Sequence, residues 1–332
     1  MNAPTQNVFV TGAGGFIGKA LVATLLRDGH AVSALLLPSE QEPAGWQGRV
    51  RVVRGDICDA AAVKQALAGH QVVIHLAAMV GDWGAEALHE KVTVGGTRNV
   101  LDAMIGTPAH LVLVSSIVVY GGLFGRTRLS ETLSIGSDLV SPYDRSKVAQ
   151  ESLLRRYAQE HALSYSVVRP GNVFGPASGP WVQTMLAEMR RGSPVLIGGG
   201  RFDAGLAYVD NVVDMLVLAA FHPAARGEVF NAADGAGVSW RSYLADLAAM
   251  AGLPAPKSLN GKLACAAAST CERLWRWLNL GGRPPLTHMA LRLLGNANEV
   301  SMSKAKRLLG YQPAVSYDVA MQRIAAWLVE QK

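Results

Sequence analysis

The feature that most constrains this chain is Thr11-Gly12-Ala13-Gly14-Gly15-Phe16-Ile17-Gly18, which follows at once on the apolar run Val8-Phe9-Val10 and runs into a helical pattern. Glycines at positions 12, 15 and 18 serve a tight turn, a close approach of backbone to pyrophosphate, and close packing of helix on strand. The helix N-terminus then offers free amides and a positive dipole end to phosphates. A strand before and a helix after are the context that such a turn needs to hold a dinucleotide rather than merely join two elements.

The same alternation continues along the chain. Short apolar runs at Ala31–Leu37, Val50–Val53, Val72–Leu76, Leu111–Ser115 and Ser164–Val168 read as buried strands. Helical patterns at Lys19–Asp28, Ala61–Leu67, Thr97–Met104 and Pro142–His161 separate them. Strand–helix alternation of this kind predicts an α/β fold, a Rossmann doubly wound parallel sheet that binds ligands at the carboxyl ends of its strands. After Gly175-Pro176 the texture shifts to more Pro, Gly and Trp, and Glu228–Ala232 reads as a strand returning to the sheet. The expected organisation is a dinucleotide-binding domain over 1–175, rejoined by 205–233, with a smaller interleaved substrate lobe built from 176–204 and 234–332.

Half of the 332 residues are hydrophobic and 17% are charged, enough for a large core. The net charge of +6 suits an anionic ligand, and the Lys and Arg are scattered rather than clustered, so nucleic acid is not an expected partner. Cys58, Cys265 and Cys271 form neither a metal-binding pair nor a disulfide framework, which fits a cytoplasmic protein with no metal site. The first residues lack the pattern of a signal peptide. A small-molecule substrate is the expected partner, and a homodimer stays open.

At the dinucleotide turn's usual ribose-reading position, the end of the second strand, stands Leu35-Leu36-Leu37-Pro38. With neither a carboxylate nor an arginine there, NAD and NADP are both admissible. Asp56, in Gly55-Asp56-Ile57, is placed to accept a hydrogen bond from the adenine amino group, or alternatively to cap the next helix. Ala77-Ala78 are small residues at a strand end, where a cofactor could lie close. Lys147 follows Tyr143 by one helical turn, so the two share a face. An adjacent ammonium, together with the positive nicotinamide of an oxidised cofactor, would favour the phenolate and lower the tyrosine pKa from about 10. Ser115-Ser116 ends the preceding strand on the ligand-binding edge.

These motifs, together with His75-Leu76-Ala77-Ala78 and Arg169-Pro170-Gly171-Asn172-Val173-Phe174-Gly175-Pro176, resemble the extended short-chain dehydrogenase/reductase superfamily over nearly the whole chain. The resemblance implies that Ser116 orients the substrate oxygen and that Tyr143 is the general acid/base. It implies that Lys147 binds the nicotinamide ribose and lowers the tyrosine pKa, and that Pro170 and Val173 line the nicotinamide end. The cofactor-binding set it implies is Gly12, Gly15, Phe16, Ile17, Gly18, Asp56, Ile57, Ala77, Ala78, Tyr143, Lys147, Pro170 and Val173. Thr93 departs from the family's frequent asparagine.

Within the superfamily, dehydratases carry an Asp-Glu pair where this chain has Ile117-Val118, which cannot eliminate water by acid/base work. Asn172 matches the asparagine that epimerases use near a sugar diphosphate, but their arginine ahead of the late Asp motif is Ala204 here. Tyr208-Val209-Asp210-Asn211-Val212-Val213 and the tail around Arg283-Pro284-Pro285 are similar to the 3β-hydroxysteroid dehydrogenase branch. That likeness implies an oxidoreductase acting on an apolar alcohol or ketone, with a pocket lined by groups such as Val80, Trp83, Trp181 and Met185. A sugar-nucleotide epimerase is the alternative, and a non-enzymatic cofactor sensor would not need the Ser–Tyr–Lys set. Lys262–Leu280 suits a lid over an apolar pocket, a helix in peripheral membrane contact, or an ordinary core helix.

Overall fold

A computed structural model describes residues 5–331. Seven strands form one sheet: β1 (Asn7–Thr11), β2 (Ala31–Leu36), β3 (Val50–Arg54), β4 (Val72–His75), β5 (His110–Val114), β6 (Ser164–Pro170) and β7 (Val229–Ala232). Their order is β3-β2-β1-β4-β5-β6-β7, and every neighbouring pair is parallel. The strand order therefore reverses between β1 and β4, and the crevice opened by that reversal is where a doubly wound sheet takes its ligand.

Successive side chains of a strand face opposite ways, and β1 shows what this sorts. Val8 and Val10 pack with Leu21, Val22 and Leu25 of helix α1 (Phe16–Arg27), while Phe9 faces the other layer. That second layer is built by α2 (Ala60–Leu67), α3 (Gly96–Met104) and α4 (Pro142–His161). Helix α5 (Val209–Phe221) joins α1 on the first face, through Val212, Met215 and Leu216. Burial on both faces is why these strands read as continuous apolar runs.

Beyond Phe174 the chain leaves the sheet and builds a separate core. Its centre is Trp240, Tyr243 and Leu247 of α6 (Trp240–Met250), packed with Phe174, Leu186 and Ile324. Two more helices follow, α7 (Gly261–Trp277) and α8 (His288–Gly295). The C-terminal part serves both cores: Met302, Ala305, Leu309 and Tyr311 pack into the sheet's own core, whereas Ala320, Met321 and Ile324 join the lobe. No described helix is long and apolar enough to cross a membrane.

Candidate active site

The glycine-rich turn is shaped by contacts that a side chain would break. Gly12 has φ +65°, and a methyl group there would lie 2.8 Å from the Ala77 backbone nitrogen. At Gly18 it would lie 2.3 Å from the Gly12 carbonyl oxygen, so α1 could not start where it does. Gly15 is the N-cap of α1 and supplies no side-chain cap, and no acidic residue stands in the first turn. Those amides remain available to an anion at the positive end of the helix. A dinucleotide pyrophosphate fits this cradle.

The adenosine side holds polar groups just beyond the apolar end of β2. Leu36 is wholly buried, but the chain turns after Pro38 and brings Glu40 back. Glu40 Oε2 accepts from the Leu37 amide at 2.7 Å, and Oε1 lies where a methyl on Gly14 would be 3.0 Å away. Arg54, at the end of β3, donates to the backbone carbonyls of Leu37 and Glu40. Both a carboxylate and a guanidinium thus stand at the edge where sequence spacing placed neither. The signal was an acid just past the expected strand end, displaced by the turn at Pro38. Asp56 tightens its own turn by accepting from the Cys58 amide at 2.9 Å, while Asp59 caps α2. Ile57 is buried against Gly96 of α3.

Ser116, Tyr143 and Lys147 converge at the carboxyl end of β5. Helix α4 begins with a capping box: Ser141 Oγ accepts from the Asp144 amide at 3.1 Å, and Asp144 Oδ1 accepts from the Ser141 amide at 2.9 Å. Pro142 occupies the first helical position, where its missing N–H costs nothing. This fixes Tyr143 in the first turn. Its phenol lies within hydrogen-bonding reach of Ser116, two residues beyond β5. Burial pushes the phenol above the ordinary tyrosine range, and the Ser116 hydroxyl pulls it partly back.

Lys147, expected to lower the tyrosine together with a positively charged nicotinamide, is anchored at the end of β5 and on its own helix. Lys147 Nζ donates to the Val114 carbonyl at 2.8 Å and to Gln150 Oε1 at 3.0 Å. Burial lowers the ammonium to a pKa of about 8, against the opposing pull of Glu151. The lysine is thus held by the sheet end and its own helix.

Two buried clusters that spacing did not reveal surround it. Glu151, one more turn along α4, accepts two bonds from Arg169 at 2.8 and 2.7 Å, one from Ser115 at 2.6 Å and one from Arg155 at 2.8 Å. Arg169 also donates to the Tyr120 hydroxyl at 3.0 Å. On the other side, Gln150 Nε2 donates to Thr97 Oγ1 at 2.7 Å, and Thr97 donates to the Thr93 carbonyl at 2.6 Å. Since the Thr97 proton is thereby used, His75 Nε2, 3.0 Å away, must be the donor to Thr97. His75 Nδ1 then accepts from Thr11 at 2.7 Å, and Thr11 in turn accepts from the Ala77 amide at 3.1 Å. His75 is stripped of its charge, with a pKa lowered to about 3, first by burial and then by Lys147. Thr93, the departure from the family pattern, uses its hydroxyl to accept from the Met79 amide at 3.0 Å.

The remaining expected residues are less closely gathered. Pro170 is buried at the end of β6, paired in register with Ala232, and Val173 lies in the short strand that follows. Phe16 reaches toward Gly175, tying α1 to the start of the lobe. Ala78 is half-buried just beyond Ala77. Trp181 packs on Trp240 at 4.9 Å and is half-buried. Trp83, however, lies under the Arg276 guanidinium at 5.0 Å, and Val80 is exposed, so that rim is neither closed nor free of cations. Asn172 is buried, and its amide donates to the Ala204 carbonyl at 2.6 Å.

A model of the NAD dependent epimerase/dehydratase family matches residues 8–233. The chain belongs to that family.

Among characterised relatives, a 2-alkyl-3-oxoalkanoate reductase of Stenotrophomonas maltophilia is 30% identical, the match covering 97% of this chain and 99% of the relative. A 3-beta-hydroxysteroid dehydrogenase of Mycolicibacterium neoaurum is 28% identical over 95% of this chain and 89% of its own. The UDP-glucose 4-epimerase of Thermus thermophilus, solved with NAD, superposes with a TM-score of 0.71 at 25% identity, covering 97% and 99% of the two chains. The family is one of NAD-dependent enzymes, and the cradle at Gly12–Gly18 accords with a nicotinamide dinucleotide as cofactor. The family member described here keeps a Ser–Tyr–Lys set at the sheet edge.

Proposed function

We propose that this family member is an NAD(P)-dependent oxidoreductase that interconverts a secondary alcohol and a ketone on an apolar substrate. The observation that carries the substrate class is the corner at Asn172. Its amide is spent on a backbone carbonyl, and Ala204 is fully buried where an arginine would have gripped a diphosphate. Without that guanidinium the corner lacks a strong charge-assisted contact. Two relatives, a 2-alkyl-3-oxoalkanoate reductase and a 3-beta-hydroxysteroid dehydrogenase, support the same chemistry.

The bound dinucleotide supplies or accepts the hydride. The protein's task is to hold the substrate oxygen and manage one proton. Ser116 is placed to hydrogen-bond that oxygen and Tyr143 to exchange a proton with it. Because burial keeps the phenol protonated at neutral pH, the side chain stands ready to donate when a carbonyl is reduced. In the reverse direction the phenolate is needed, and positive charge at the nicotinamide end would favour it.

The test is titration of UDP and of a hydroxysteroid or long-chain 3-oxo compound into NAD-loaded protein, at low and high salt. Apolar ligands should bind through buried area, at about 25 cal/mol per Å², with little salt dependence. Tight UDP binding that weakens as salt rises, with no response to the apolar ligands, would replace this reading by epimerisation.

A further inference from the structure

Helix α7 presents to solvent a face that the core does not use. Inward it packs Ala264 and Ala268. Outward, Leu263, Ala266, Thr270, Leu274 and Trp277 recur three and four residues apart, which places them on one side of the helix. Leu263 is 63% exposed and Trp277 81%, and the stripe continues into exposed Leu278 and Leu280. Other strongly exposed large apolar residues, such as Ile105 and Val329, are scattered singly and need no explanation.

The exposed charges carried by the segment itself have one sign. Across 261–283 the acidic residue is Glu272, which is buried and accepts from the His288 amide at 2.8 Å and from Arg276 at 3.0 Å. Lys262 and Arg273 are exposed and form no ion pair among the described residues. A second copy of the chain docking here about a two-fold axis would set this face against itself. Its cations would then meet cations with no exposed acid from the same segment to answer them.

We propose that α7 docks this protein on an anionic lipid surface. The helix lies in the plane of the membrane, with Leu263, Leu274 and Trp277 in the boundary between headgroups and acyl chains and Lys262 and Arg273 on lipid phosphates. The overall charge of +6 favours the same approach.

The placement also joins the helix to the substrate side. Arg276 lies 5.0 Å over Trp83, and Arg283, just past the helix, bonds both oxygens of Asp82 at 2.6 and 2.7 Å. Asp82 and Trp83 belong to the loop that leaves β4 at the carboxyl edge of the sheet, the edge that carries Ser116. A membrane-docked α7 would hold that loop near the bilayer, where an apolar substrate partitions. The docking surface itself does not depend on the substrate class.

The experiment is co-sedimentation of the full chain with phosphatidylcholine vesicles and with vesicles that also contain phosphatidylglycerol, at low and high salt. The wild type should sediment with the anionic vesicles, weakly with the neutral ones, and less at high salt. The pair Lys262→Glu and Arg273→Glu should lower anionic-vesicle binding roughly tenfold or more. The pair Leu274→Glu and Trp277→Glu should lower binding to both kinds. Both double variants should keep wild-type thermal stability and dinucleotide affinity, which separates loss of docking from loss of fold or of the catalytic reading. Absence of vesicle binding by the wild type, or undiminished binding by both pairs, overturns the proposal. So does a dimer, seen by light scattering, that Trp277→Glu dissolves, since the face would then belong to a second copy.

Discussion

Lys147 stands between two buried polar clusters of opposite kinds. On one side Glu151 and Arg169 form a bidentate ion pair, joined by the hydroxyls of Ser115 and Tyr120. On the other, Thr11, His75, Thr97 and Gln150 make an uncharged chain of bonds in which each proton has one direction. The contrast shows two ways to hold one ammonium in a dry place. The charged cluster supports the lysine's own charge through Glu151. The neutral one ties the lysine to the glycine-rich turn without adding a second positive charge beside it.

The charged cluster should be the more fragile. Arg169→Leu leaves the Glu151 carboxylate buried with the half-exposed Arg155 and the Lys147 ammonium as its remaining counter-charges, at a cost of about 3–5 kcal/mol. Urea unfolding should also show the double variant Glu151→Leu/Arg169→Leu to be less destabilised than the sum of the single changes. Additive losses would mean that the two side chains do not act as a pair.

Acid attacks the neutral cluster instead. His75 has a folded pKa of about 3, below the ordinary 6.5, and burial lowers His110 to about 4. The unfolded chain therefore takes up these protons first. Their contribution to stability is fully present above about pH 6.5 and is lost as pH falls through the folded values. Stability measured between pH 7 and 4 should fall more steeply in the wild type than in His75→Gln. Equal slopes would show that the imidazole does not become uncharged on folding.

A smaller effect is expected at the far end of the cofactor cradle. Glu40→Ala removes the carboxylate beside Gly14 and should shift preference roughly tenfold toward NADP, since a carboxylate there repels a 2′-phosphate. Kinetic constants with both cofactors decide this. An unchanged ratio would free Glu40 from that role and leave Arg54 as the group to test.

Much of this molecule was legible before the fold was seen. Short apolar runs marked the sheet strands because both faces of a parallel sheet are buried, and Pro142–His161 carried its own start signal in Ser141, Pro142 and Asp144. The convergence of Ser116, Tyr143 and Lys147 followed from a strand end and a helical turn, both local. What could not be read were partners distant in sequence. Arg169 finds Glu151 across 18 residues, His75 finds Thr11 across 64, and Arg283 finds Asp82 across 201. No spacing rule covers such pairs. The seat of the Lys147 ammonium was hidden for a related reason. Helical spacing says which face Lys147 occupies, but the Val114 carbonyl and Gln150 decide where its charge goes.

In the proposed reaction Tyr143 moves the proton that accompanies hydride transfer. Its most direct test is Tyr143→Phe in single-turnover assays with a substrate turned over by the wild type, alongside dinucleotide affinity by calorimetry. The phenyl ring keeps the packing and removes only the hydroxyl. The transfer rate should fall by about 10²–10⁴-fold while the dinucleotide dissociation constant stays within about twofold, because the lost interaction belongs to the transition state. A transfer rate near that of the wild type would contradict the account.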